Sequence, residues 1–275
     1  MVRVMKMPQI LNRRNRILLK ELTKTDFKLR YQGSVLGYLW ALLRPMMLFA
    51  ILYFVFTKIF RFGDDIPHYA VYLLTGVVLW NFFMESTNQG IQAIVGRGDL
   101  IRKVSFPKWI VVVSATATAM INFGINLGVI IIFALINGVT PSFGWIMILP
   151  FVVELYLLSL GLSMLLGTVN VKYRDISSIW EVLMQAVFYT VPIIYPISFV
   201  IDNGSVLLAK IIMLNPIAQV IQDIRYWLIT RNAVRTWDLI HNLGLRIVPV
   251  IIVMAVLVLA SLYFRKRSKH FAEEI

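Results

Sequence analysis

The sequence predicts an all-α integral membrane protein with six transmembrane helices per subunit. Apolar residues make up 59% of the 275 residues, charged ones only 15%, and the mean hydropathy is +0.77, whereas soluble domains are about 45 to 50% apolar. Most charges fall between apolar runs of roughly 20 residues, the length that crosses a bilayer as a helix. Six such runs use most of the chain, so residues 1–275 are predicted to form a single transmembrane domain.

The N-terminal segment, residues 1–32, predicts a basic amphipathic helix at the membrane surface. It holds nine Lys and Arg residues against two acids, and Leu11, Leu18, Leu22 and Leu29 follow one helical stripe. A helix of this kind lies in the headgroup plane, although a solvated basic helix with no membrane role is the alternative. The first apolar run long enough for a span starts after residue 33, so no cleavable signal peptide is expected.

The first predicted span, 34–60, carries two unusual features. Gly33, Gly37 and Ala41 repeat a small residue every four positions, a pattern that favours close helix packing, although small residues also serve as hinges. Arg44 lies inside the span, directly before Pro45, and an arginine within a span is a candidate functional residue. Snorkelling of Arg44 to the headgroups is the alternative. The remaining predicted spans are 69–91, 109–136, 145–169, 176–199 and 243–264.

Residues 201–235 do not fit a span. Their two apolar runs, 206–214 and 217–229, are nine and thirteen residues long and are separated by Asn215-Pro216. Neither run can cross about 30 Å of hydrocarbon as a helix. The pattern therefore predicts a re-entrant helical hairpin between the fifth and sixth spans, at the outer face.

Residues 96–108, GRGDLIRKVSFPK, form a basic island between two spans. Four Lys and Arg residues stand against one acid, so this loop must lie at a membrane face. Its apolar positions predict a short helix within 96–106, which ends before Pro107 because the residue before a proline disfavours the helical conformation.

The distribution of charge predicts which face this is. Lys and Arg number nine in 1–32, four in 96–108, two in 170–175 and four in 265–269, against six between the spans on the other side. By the positive-inside rule, both termini and the two basic loops are cytoplasmic in a multi-pass protein of the cytoplasmic (inner) membrane. The net charge of +13 is therefore attributed to basic residues that lie next to lipid headgroups on the cytoplasmic face, and no nucleic-acid partner is predicted.

The sequence offers little for catalysis. It has no Gly-x-x-x-x-Gly-Lys-Ser/Thr motif for ATP, no cysteine, and three histidines that lie far apart. The acids inside predicted spans, Glu85, Glu154 and Glu181, are not paired at helical spacing, as a transferase that binds a metal-diphosphate requires. No catalytic residue, metal site or cofactor is therefore predicted in this chain.

Aromatic residues, 13% of the chain, mostly suit interfacial belts and helix packing. Tyr53, Tyr189 and Tyr195 lie inside predicted spans and carry a polar tip. They are the candidates for lining a substrate passage.

Short motifs along nearly the whole chain resemble, in order and spacing, the membrane subunits of ABC exporters for polysaccharides, O-antigens and teichoic acids, which are type-2 ABC transporters. The motifs are DFKLRY (26–31), SVLG (34–37), LW (39–40), RP (44–45), GVVLWNFF (76–83), LI (100–101), FP (106–107), YRD (173–175) and NP (215–216).

The resemblance implies a homodimer that pairs with two cytoplasmic ABC ATPase subunits, which hold ATP and Mg²⁺. The dimer would enclose a passage lined largely by the first and fifth spans and closed outside by the re-entrant helices. The substrate would be a glycan or polyol-phosphate polymer on undecaprenyl diphosphate. Residues 96–106 would be the coupling helix that contacts the ATPase, and 170–175 would provide a second cytoplasmic loop. The implied contact residues are Arg97, Asp99, Leu100, Ile101, Arg102 and Lys103 in the first and Tyr173, Arg174 and Asp175 in the second.

The predicted function is the transmembrane subunit of an ATP-driven exporter of lipid-linked polysaccharide, of the O-antigen, capsule or teichoic acid type. Arg44 and the basic cytoplasmic rim would attract the lipid diphosphate, because guanidinium groups suit phosphate oxygens. Two alternatives stay open: a type-2 ABC exporter of drugs or plain lipids, and a polytopic glycosyl- or phosphotransferase.

Overall fold

A computed structural model describes residues 12–33, 36–59 and 66–275, and the long regular elements within them are all helices. Part of the predicted N-terminal helix (1–11), two motif positions (34–35) and the end of the first predicted span lie outside the described residues. The helices are α1 (Arg13–Tyr31), α2 (Trp40–Phe54), α3 (Tyr69–Ala93), α4 (Gly98–Lys103), α5 (Trp109–Ile136), α6 (Ile148–Lys172), α7 (Ile176–Thr190), α8 (Ile197–Asp202), α9 (Val206–Met213), α10 (Pro216–Leu228), α11 (Thr236–Leu239), α12 (Leu243–Arg267) and α13 (Phe271–Glu274).

Helix α3 is the centre of the bundle. It packs against α2, α5, α6, α7 and α10, and nearly every residue from Tyr69 to Phe83 is buried. Its second half carries polar residues, among them Glu85 and Gln89. Because these side chains face other helices rather than lipid, their polar groups can find hydrogen-bond partners inside the bundle.

Small residues set the distance between α3 and α6. Gly90 lies so close to Ser163 that a Cβ atom would overlap that side chain, and a Cβ at Gly167 would meet the carbonyl of Gly90. Ser163 Oγ also donates to the carbonyl of Ser86 at 3.2 Å. Close packing of this kind holds helices together in a membrane. The hydrophobic effect does not drive their association there, because the lipid tails are also apolar.

Among the described residues, four helical stretches are long and apolar enough to cross a membrane: Gly37–Ile59, Trp109–Ile136, Phe143–Lys172 and Leu243–Arg267. Helix α3 is 25 residues long but is not among them, as its polar second half makes it less apolar. The all-helical integral membrane fold agrees with the prediction. The count of six spans stays a prediction.

The helix that begins the predicted fifth span, 176–199, ends before the two prolines in that range, and the extent of the span stays a prediction. Helix α7 ends at Thr190 after 15 residues, about 22 Å at 1.5 Å per residue. Val191 is extended, because Pro192 disfavours the helical conformation in the residue before it. Residues 191–196 are irregular, and α8 begins only at Ile197.

Helices α9 and α10 occupy the region predicted as a re-entrant hairpin. They meet at a bend of 96°. Asn215 caps α10 by accepting from the Ile217 N–H at 2.9 Å, and Pro216 takes the first helical position, where its missing N–H does no harm. A pair bent in this way is either a broken span or a re-entrant hairpin, so the hairpin and its place at the outer face stay predictions.

Gly33 and Gly37 take the role of hinges, which was the alternative to close helix packing. They lie between α1 and α2 with φ values of +82° and +48°, and no atom of the described residues lies within 4 Å of a Cβ built on either. Both therefore allow the chain to turn from α1 into α2, since glycine adopts positive φ without steric strain.

Candidate functional site

The segments predicted to share one membrane face meet at one end of the bundle. Ile101, Phe106, Val171, Phe264 and Phe271 belong to one apolar cluster, to which leucines of α1 add their side chains. The cluster joins α4, the end of α6, the end of α12 and α13. We call this region the basal end.

Within α4, the cluster decides which side chains face outward. Ile101 is only 2% exposed within this chain, so it holds α4 to the bundle, and its contact with an ATPase stays a prediction. Leu100 is half-buried, while Arg102 and Lys103 are exposed. Asp99 is exposed and pairs with Arg102 at 3.0 Å. The outward surface of α4 is therefore mainly charged.

Arg97 also faces inward within this chain, and its contact with an ATPase stays a prediction. Its guanidinium forms an ion pair with Asp26 of α1 and donates to Ser114 Oγ of α5 at 2.7 Å. The side chain is 17% exposed. Arg97 therefore ties the start of α4 to α1 and α5.

The second basic loop lies at the basal end as well. Tyr173, Arg174 and Asp175 are exposed and follow Val171, which belongs to the apolar cluster. These three side chains are available to a partner, and their contact with an ATPase stays a prediction.

A cleft of about 530 Å³ opens between α1, α2, α3 and α5. Glu85, on its wall, is eight residues before the end of α3, about 12 Å along the helix, so the cleft lies toward the basal end. Aromatic rings of Trp40, Phe82 and Phe123 contribute to the lining. The polar lining residues are Arg30, Arg44, Asn81, Glu85, Asn88, Gln89 and Asn126.

Three donors converge on one carboxylate oxygen in this cleft. Glu85 Oε1 accepts from Arg30 Nη1 at 2.5 Å, from Gln89 Nε2 at 2.9 Å and from Asn122 Nδ2 at 2.5 Å. The donors come from α1, α3 and α5. Sequence reasoning missed this arrangement, although an acid inside a span signals that a partner must exist.

Arg44 is placed differently from Arg30. It lines the cleft and is exposed, while the neighbouring Pro45 is buried. Arg44 makes no hydrogen bond or ion pair with any residue in the described ranges, although its charge acts on Glu85. The cleft therefore presents a guanidinium whose donors are open to a ligand.

The three candidate tyrosines do not form one site within a single chain. Tyr53 stacks on Phe49 and on Tyr69, with ring centroids 5.6 and 6.5 Å apart. Tyr189 is 71% exposed. Tyr195 donates its hydroxyl to the carbonyl of Thr190 at 2.9 Å, so that group holds the irregular segment after α7. Their role in a passage stays a prediction.

Arg225 of α10 is buried, although the charge count from the sequence placed it among the six Lys and Arg residues between the spans on the non-cytoplasmic side. It is fully buried and stacks on the Tyr72 ring at 3.5 Å. It donates to the carbonyls of Tyr72, Pro192 and Ile193 at 3.1, 2.5 and 2.6 Å. Gly76 leaves the necessary space, because a Cβ there would overlap Arg225. Arg225 thereby fixes the segment after α7 to α3.

The polar lining of the cleft is suited to binding a ligand with phosphate or hydroxyl groups. Within residues 12–33, 36–59 and 66–275, no group of three or more His, Cys, Asp or Glu side chains could hold a metal ion. The lining offers two guanidinium groups and several amides, which together recognise phosphate oxygens and hydroxyl groups.

Comparison with known proteins adds two findings. The family described as ABC-2 type transporter matches residues 17–229. The chain is 30% identical to the O-antigen export system permease protein RfbA of Myxococcus xanthus over 259 residues, 94% of this chain and 95% of the relative. It is also 30% identical to a protein of the same name from Klebsiella pneumoniae over 205 residues, 74% of this chain and 77% of the relative.

Proposed function

The chain belongs to the ABC-2 type transporter family, and from that premise we propose that it is the transmembrane subunit of an ATP-driven exporter of lipid-linked polysaccharide. The names of its relatives, O-antigen export system permeases, support an O-antigen type of substrate. ATP hydrolysis belongs to a separate ABC ATPase chain, because no ATP-binding motif occurs in this sequence.

The observation that carries this proposal is the cleft with its two arginines. Arg44 and Arg30 line a space large enough for a diphosphate and the first sugar, and the charge-assisted bonds of a guanidinium suit phosphate oxygens. The amides around them suit sugar hydroxyls. This polar lining favours a lipid-linked glycan over the alternative cargo of an apolar drug, whose pockets are mainly hydrophobic.

The basal end supplies the route by which ATP hydrolysis acts on the cleft. The exposed Arg102 and Lys103 form the ATPase-facing surface of the coupling helix. A push on α4 passes through the Arg97–Asp26 ion pair to α1. From α1 it reaches the cleft wall through the Arg30–Glu85 ion pair.

A second copy of the chain completes the passage. The outer face of α7 exposes Val182 and Leu183 together with Glu181 and Gln185. Polar side chains are unfavourable toward lipid, so this face suits a partner subunit and a water-filled passage. We place the dimer passage along α2 and α7, in the cytoplasmic membrane, with both termini in the cytoplasm.

An export assay with the partner ATPase tests the role of the cleft. Arg44→Ala is expected to lower export of the lipid-linked glycan about tenfold, because hydrogen bonds to charged groups contribute about 1.5 to 3 kcal/mol each. Arg44→Lys keeps the charge but not the fork of donors, and is expected to be intermediate. Lys269→Ala removes one exposed charge away from the cleft and serves as the control. Unchanged export by Arg44→Ala would reject the proposed site.

A further inference from the structure

We propose that Glu85 is a built-in counter-charge of the cleft, which holds Arg30 while the cleft is empty and gives it up when a lipid diphosphate binds. This inference rests on the proposed function. It assigns to Glu85 a regulatory role rather than a place among the groups that attract substrate.

The contacts of Glu85 are those that a phosphate oxygen would take. A guanidinium and two amides donate to its Oε1 atom, at 2.5 Å from Arg30, 2.9 Å from Gln89 and 2.5 Å from Asn122. Charged oxygens of phosphates and carboxylates accept the same bonds from the same donors. The carboxylate therefore occupies one of the positions that suits a diphosphate oxygen.

The charges of the cleft lining favour a binding mode in which the diphosphate takes Arg30 from Glu85, rather than one in which the Arg30–Glu85 ion pair stays intact. Arg44 has no hydrogen-bond or ion-pair partner among the described residues and is exposed, so an arriving diphosphate can contact it first. The second phosphate then lies next to the Glu85 carboxylate, and like charges side by side are unfavourable. Transfer of Arg30 from Glu85 to the phosphate relieves this repulsion and adds a bond to the ligand.

The exchange would also report to the coupling helix that the cleft is filled. Arg30 and Asp26 lie one helical turn apart on α1. Arg30 joins α1 to α3 through Glu85, and Asp26 joins α1 to the start of α4 through Arg97. When the diphosphate takes Arg30, α1 loses its ion pair with α3 and keeps the one with Arg97. The force that α1 exerts on α4 through the Asp26–Arg97 ion pair therefore changes. Helix α4 carries the surface that is proposed to face the ATPase.

The test measures binding of farnesyl diphosphate, a short lipid diphosphate, to the purified full-length protein in nanodiscs by calorimetry. Glu85→Gln keeps the shape of the side chain and removes the competing charge, so the Kd is expected to fall about tenfold. Glu154→Gln makes the same substitution on α6, outside the cleft lining, and is expected to leave the Kd unchanged. Inorganic pyrophosphate should bind more weakly because it lacks the prenyl chain, but should rank the variants in the same order.

A charge swap guards against a folding defect. Glu85→Gln combined with Asn122→Asp returns a carboxylate to the same group of donors, and is expected to restore the wild-type Kd. A merely structural Arg30–Glu85 ion pair predicts the opposite sign, because Glu85→Gln would then loosen the cleft and raise the Kd. An unchanged or raised Kd for Glu85→Gln, with Arg44→Ala still weakening binding, overturns the counter-charge and leaves the proposed function standing. If Arg44→Ala does not weaken binding, the proposed function itself fails.

Discussion

Single residues of the same type have different roles in this protein. Arg44, Arg97 and Arg225 respectively line a cleft, bridge helices at the basal end and fix an irregular segment. The sequence could predict a functional role for Arg44, because a charged side chain inside a membrane span costs free energy and usually marks a functional site. It could not predict the inward direction of Arg97 or the acceptors of Arg225, because both depend on contacts with residues distant in the chain.

Arg225 offers a test of stability at this scale. Arg225→Met removes the donors to the carbonyls of Pro192 and Ile193, and each buried carbonyl left without a donor costs about 1 to 3 kcal/mol. We expect a clearly lower thermal unfolding temperature of the detergent-solubilised protein. Arg231→Met, an exposed neighbour, is the control. Equal unfolding temperatures for both variants would contradict the structural role of Arg225.

At the scale of elements, the position of α4 was predictable from the sequence, but the direction of its apolar side was not. The charges and Pro107 predicted a short helix within 96–106, and Gly98–Lys103 lies inside that range. The direction of its apolar side was not predictable, because the cluster around Ile101 is built from α5, α6, α12 and α13. Likewise, Pro192 and Pro196 could mark the end of α7 only approximately.

Charge reversal on α4 tests its contact with the ATPase. Arg102→Glu with Lys103→Glu is expected to weaken co-purification of the ATPase about tenfold or more, because like charges across an interface are strongly unfavourable. The control is Lys266→Glu with Lys269→Glu, which reverses the same number of charges at the end of α12 and just after it. Co-purification that survives the α4 reversal would reject docking at this helix.

A glycine in α4 tests its connection to α13. A Cβ at Gly98 would overlap the Ile275 side chain, whereas nothing lies within 4 Å of a Cβ at Gly96. Gly98→Val should displace the segment after α12 and shift α4. We expect export to fall while ATP hydrolysis by the complex continues, and we expect Gly96→Val to retain both. If the two variants behave alike, the contact between α4 and α13 has no part in coupling.

At the scale of the whole molecule, composition was sufficient for the fold class but not for its details. The apolar fraction predicted an all-helical membrane protein, and the helices agree. The shortened α7 and the cleft could not be predicted, because they arise where a proline break and polar side chains from separate helices meet. The charge distribution gave an orientation that the helices alone do not show.

The absence of cysteine makes that orientation directly testable. Single Lys103→Cys and Asn232→Cys variants each place one thiol at an exposed position, at the basal end and after α10. A membrane-impermeant maleimide added to intact spheroplasts should label Asn232→Cys only, and Lys103→Cys only after lysis. Labelling of Lys103→Cys in intact spheroplasts would reverse the orientation.

The central claim is that the cleft between α1, α2, α3 and α5 holds the lipid-linked glycan. Its most direct test is a photoreactive amino acid at Asn88, on the cleft wall, or at Ile132, on the exposed side of α5, in cells that make the glycan. We expect a glycan adduct at Asn88 that Arg44→Ala abolishes, and none at Ile132. Equal adducts at both positions, or an Asn88 adduct that persists without Arg44, would contradict it.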